Sequence, residues 1–199
     1  MLCACAEPAT SKADGVAANV DSLAHTLWAG AGIALARRHW RIATRTAAAT
    51  MVLAALPDVV QLLPILGWWA FGDGSLAALR AYAMALPGQE PLLPPLVADL
   101  SHHLHCITHS ALVAGAVTLL LWATRRSLWI PLFGWWSHIV IDVFTHSKSF
   151  YPSPVLYPVT QQGFDGIAWN TPWFAVLNYG ALTASVLWLI FGQRRKSAK

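Results

Sequence analysis

Three side chains able to ligate a metal recur every fourth residue in the apolar stretch His138-Ile-Val-Ile-Asp142-Val-Phe-Thr-His146. Each step of four residues along an α-helix turns through about 400°, so all three project from nearly one face. A shorter copy, His105-Cys-Ile-Thr-His109, precedes it. Imidazole supplies neutral nitrogen and carboxylate supplies negative charge, a donor set that suits Zn²⁺ best, with Mn²⁺ or Fe²⁺ as further options. Ionisable groups are costly inside an apolar helix, so a cluster of them marks a site. The plainer alternative is a polar network that merely joins helices. A carboxylate with two imidazoles is costlier to bury in that form than around a cation.

The elements that must carry these residues are membrane segments. The 199 residues are 56% hydrophobic and 11% charged, against about 25% charged in soluble domains, and mean hydropathy is +0.50. This composition predicts an all-α fold, a polytopic transmembrane helix bundle. About five apolar segments are expected, over 22–36, 46–70, 106–124, 127–146 and 172–192, the clearest approaching the ~20 residues that span a bilayer. The second holds Pro57 and Pro64 and is expected to break at Pro57-Asp58, as membrane helices do where they line an enclosed cavity. Residues 75–86 suit a short helix on the outer interface. Residues 1–21 form a disordered N-terminal segment without the marks of a cleavable signal. Residues 22–192 make a single membrane-embedded domain and 193–199 a basic cytoplasmic tail.

Charge placement fixes the orientation. Ten of the thirteen basic residues fall in three clusters, Arg37 to Arg45, Arg125 with Arg126, and Arg194 to Lys199, each capping an apolar segment. No basic face interleaved with aromatic residues is present, which excludes nucleic acid as a partner. Five crossings bring all three clusters to one side, the cytoplasm, with the N-terminus outside and the C-terminus inside. Three cysteines build no disulfide framework,. Cys106 points about 100° away from His105 and reads as packing.

Depth follows from counting about 1.5 Å per helical residue from each cytoplasmic end. His25, Asp58, His109, His138 and Asp142 then share a level about 17–24 Å above the inner boundary, whereas His105 and His146 come out about 30 Å up, at the outer rim. Asp58 has a second reading, as an N-cap of the helix piece after Pro57.

Four pieces of this pattern, Ala24-His25-Thr26, Leu56-Pro57-Asp58, Thr108-His109-Ser110 and Ser137-His138 followed by Asp142, together resemble the bacterial inner-membrane metal-dependent hydrolases of the YdjM type. The resemblance covers most of residues 22–150. It implies an inner-membrane location and a metal site built from His25, Asp58, His109, His138 and Asp142. The family has a further histidine five residues before the Thr-His-Ser histidine, where this chain has Leu104. His105, one position off and facing differently, is a candidate additional ligand, as is His146 by its place on the His138–Asp142 face.

The expected function is metal-dependent hydrolysis of a membrane lipid or lipid-linked phosphoester, entering headgroup first from the outer leaflet. Whichever of Asp58 and Asp142 is not a ligand is the candidate general base. A metal-ion or proton transporter would also place His and Asp near the midplane. It needs polar residues continuing to the cytoplasmic side, and 111–124 and 129–134 are almost purely apolar. A non-catalytic protein stabilised by its metal is the third reading.

Overall fold

A computed structural model describes residues 20–83, 91–125, 129–148, 152–169 and 171–197, and these contain helices and loops but no strand. The order is α1 (Val20–Ala36), α2 (Thr44–Gln61), α3 (Leu63–Phe71), α4 (Leu76–Ala83), α5 (Pro95–Thr108), α6 (Ala111–Thr124), α7 (Trp129–Thr145) and α8 (Pro172–Ser197). The expectations for residues 1–19 lie outside the described residues.

Helices α2 and α7 form the central pair, with α1 against both, α5 against α2 and α3, α6 on α7, and α8 against α1. Their close approach is set by small residues. Ala47, Thr50 and Ala54 are the buried face of α2, and a Cβ at Gly134 of α7 would run into the carbonyl oxygen of Thr50. Polarity is inverted relative to a soluble domain. His25, His109, His138 and Asp142 are at most 1% exposed, while Leu119, Leu120, Val140, Phe144 and Val176 face outward. Among the described residues α8 offers one helix long and apolar enough to cross a membrane, Pro172–Gly192, and counting each bent pair, α2 with α3 and α5 with α6, as one span makes three.

Two breaks depart from the sequence reading. Helix α2 runs through Pro57 and ends at Gln61, and the chain bends by 57° at Leu62. Pro57 removes one amide donor and the helix tolerates the gap. Pro64 acts on the preceding turn instead, lacking the N–H that would continue the ladder to Val60 O and crowding that carbonyl, and it sits in the first turn of α3, where a missing N–H is harmless. Asp58 consequently lies inside the last turn of α2 and caps nothing.

The expected continuous segment over 106–124 is also two helices, bent by 60° between Thr108 and Ala111. No proline causes this bend. Ser110 leaves helical geometry and its Oγ accepts a hydrogen bond from Val113 N at 3.2 Å, capping α6. The same hydroxyl donates to Tyr157 O at 2.7 Å. Ser110→Ala removes both bonds at a fully buried position, and is expected to cost about 1–2 kcal/mol in thermal unfolding of the detergent-solubilised protein.

The 152–169 segment folds over one end of the bundle. Val155 O accepts from Ala111 N at 2.9 Å, while Gly166 N, Ile167 N and Trp169 N donate to His146 O, Phe144 O and Thr145 O at 2.8–2.9 Å. These bonds satisfy carbonyls left open where α7 ends. Gly166 is required there, since a Cβ would strike Phe144 O. Asp165 ties this segment to the end of α7, its Oδ1 accepting from Lys148 N at 2.9 Å.

Candidate metal centre

Helix α7 supplies His138 and Asp142 one turn apart on its buried face. His138 is held from behind, because its Nδ1 donates to Ala54 O of α2 at 2.7 Å. A carbonyl can only accept, so Nδ1 carries the proton and the Nε2 lone pair points forward. His109, in the bend after α5, is held in the same way, with Nδ1 donating to His105 O at 2.9 Å. The two Nε2 atoms then face each other 3.0 Å apart. Asp142 Oδ2 lies 3.1 Å from His109 Nε2 and 3.0 Å from His138 Nε2. Asp58 Oδ1 completes the group at 3.7 and 3.6 Å from the same nitrogens.

Four electron-rich atoms thus converge. They can share this space only with positive charge between them, a proton or a metal ion. Donors 2.0–2.1 Å from a tetrahedral Zn²⁺ stand about 3.3–3.4 Å from one another, and the five separations above span 3.0–3.7 Å. The backbone carbonyls behind both imidazoles are what metal-ligating histidines use to fix tautomer and ring orientation. The residues therefore fit a divalent ion.

Asp142 also faces a second pair of rings. Its Oδ1 is 2.9 Å from His25 Nε2 of α1 and 3.6 Å from His146 Nε2 at the end of α7. The His25 ring lies over the His138 ring with centroids 4.0 Å apart. The structure thus brings His25, Asp58, His109, His138 and Asp142 together from α1, α2, the α5–α6 bend and α7. His105 and His146 stand one helical turn from His109 and Asp142, as their four-residue spacing predicts,. His146 reaches Asp142, and the His105 ring is 4.1 Å from that of His109.

Two supporting residues escaped the sequence reading. Ser22 Oγ donates to Asp58 Oδ2 at 2.6 Å, leaving Oδ1 to face the imidazoles. Gln61 Oε1 lies 2.9 Å from His105 Nδ1, and Gln61 O accepts from Ser101 Oγ at 2.6 Å. Ser22 stands three residues before His25, and Gln61 three after Asp58. Helical neighbours at that spacing share a face, which was the available signal. Cys106 is buried with its Sγ 3.6 Å from His102 Nε2, in keeping with packing.

Comparison with protein-family models, curated proteins and solved structures gives no match for this chain.

Proposed function

We propose that this chain is a membrane-embedded metal-dependent hydrolase acting on a lipid or lipid-linked phosphoester. The observation that carries it is the facing pair of Nε2 atoms, His109 and His138 at 3.0 Å, each with its Nδ1 committed to a carbonyl and with Asp142 Oδ2 beside both. A divalent ion held there, with Zn²⁺ the best match, would supply Lewis acidity and lower the pKa of a water to about 7.

The protein's own groups divide the remaining work. Asp142, 1% exposed, anchors the imidazoles, whereas Asp58, 18% exposed, is the carboxylate that an entering molecule meets. Asp58 also stands farther from both imidazoles and is steadied by Ser22; with His109, His138 and Asp142 as the three protein ligands and the fourth position left to water, Asp58 would serve as the general base. An apolar cleft of about 520 Å³ runs beside it, lined by Leu53, Leu56, Pro57, Thr108, Leu132 and Trp135. Its lining includes Pro57 and Thr108, the chain neighbours of Asp58 and His109, though none of the cluster's own side chains. That juxtaposition favours an amphiphile with an acyl chain in the cleft and its headgroup at Asp58.

The outward apolar side chains and polar interior support residence in a bilayer. We place about five segments across it: α1, α2 with α3, α5 with α6, α7 and α8. The basic clusters then face the cytoplasm, as in the inner-membrane YdjM-type proteins that the motifs resemble.

The test is purified protein in liposomes of phospholipid and lipid-linked phosphoester, followed by ³¹P NMR. Turnover that stops with 1,10-phenanthroline and returns with Zn²⁺ is expected. Stoichiometric metal with no turnover of any phosphoester would leave a structural metal site and end the hydrolase reading.

A further inference from the structure

We infer that Asp142 bridges two cations, so that the centre is dinuclear, with its second ion held by His25 and His146. This rests on the metal-binding reading above and extends it. The two oxygens of the Asp142 carboxylate serve different rings. Oδ2 faces His109 and His138 at 3.0–3.1 Å, and Oδ1 faces His25 at 2.9 Å and His146 at 3.6 Å. One ion on the Oδ2 side fully uses the first pair and leaves the second pair converging on Oδ1.

The second pair is as deliberately buried as the first. His25, on α1, is 1% exposed, and His146, the residue after α7, is 7% exposed. A carboxylate can hold one ion on each oxygen, and paired ions are the arrangement that many phosphoester-cleaving sites use.

Charge distinguishes the two cases functionally. Asp58 and Asp142 together carry two negative charges, which one divalent ion would neutralise. Two divalent ions leave the pocket positive, and a positive pocket selects an anionic substrate such as a phosphoester over a neutral ester. A dinuclear centre therefore narrows the substrate class as well as the metal count.

The experiment uses the full chain in detergent micelles, stripped with chelator and reloaded with Zn²⁺ or Co²⁺. Plasma mass spectrometry is expected to give two ions per chain for the wild type, and one each for His25→Ala and His146→Ala. Should either variant fail to fold, the wild-type protein decides. Half-loaded with Co²⁺ it should give a normal paramagnetic signal, which weakens on full loading as the two ions couple through the carboxylate. One ion per wild-type chain, or two that are uncoupled and unaffected by both substitutions, would overturn the bridge. The first of these results leaves the mononuclear hydrolase standing, whereas no bound metal at all would remove both.

Discussion

Asp142→Asn is expected to lose bound metal by more than about a hundredfold in affinity and to lose turnover with it. Changing a group that only supports a ligand costs about 10–100-fold, and Asp142 touches the centre directly. Four imidazole nitrogens lie 2.9–3.6 Å from its two oxygens. Asparagine preserves the shape but removes the charge, and it turns an N–H₂ group toward nitrogens that need a cation.

Stability gives a readout independent of activity. An ion present at about 1,000 times its Kd stabilises the folded state by about 4 kcal/mol, which is about 8–16 °C in Tm for a chain of this size. Chelator should therefore lower the wild-type Tm by about that amount and that of Asp142→Asn by at most about 3–6 °C. A purely structural hydrogen-bond network predicts something else, namely that chelator shifts neither protein while the substitution alone destabilises. That second pattern would sink the metal reading, because it assigns the whole energy of the cluster to protons.

The part of this centre legible in sequence was the part written by helical periodicity. His138, Asp142 and His146 announce one face of α7 because four-residue spacing survives any packing. Asp58 and His25 were legible as polar residues placed where apolar ones are expected. Helix ends were harder. Pro57 seemed the natural break, yet the chain bends at Leu62. A proline's effect falls on its predecessors, and which of two nearby prolines yields is decided by packing. The bend at His109 had no proline to announce it. Its sign was Ser110, a residue type that caps helices, hidden in a run apolar enough to pass for a single span. The bridging geometry of Asp142 was not legible at all, because it depends on where α1 and the end of α7 approach the same carboxylate.

The second large effect is expected at Gly134, which touches no ligand. Its missing Cβ lets α7 lie against α2, since a Cβ there would strike Thr50 O and stand 3.0 Å from Ala54 N. Both are backbone atoms of a packed helix and cannot swing aside. One turn later His138 Nδ1 donates to Ala54 O at 2.7 Å, the bond that aims Nε2 into the centre. Separating the helices therefore releases the ligand. Gly134→Ala gains about 1 kcal/mol of helix propensity but pays about 1–3 kcal/mol for overpacking, a net loss. Gly134→Val should lose more, and its bound metal as well.

Gly115 on α6 supplies the control, because a Cβ there meets nothing within 4 Å. Gly115→Ala is expected to raise stability by about 0.5–1 kcal/mol and to leave metal content unchanged. Thermal unfolding and elemental analysis of these variants separate propensity from packing. If Gly134→Ala and Gly115→Ala shift Tm alike, the approach of α7 to α2 is not what positions His138, and the coupling argued here between helix packing and ligand geometry fails.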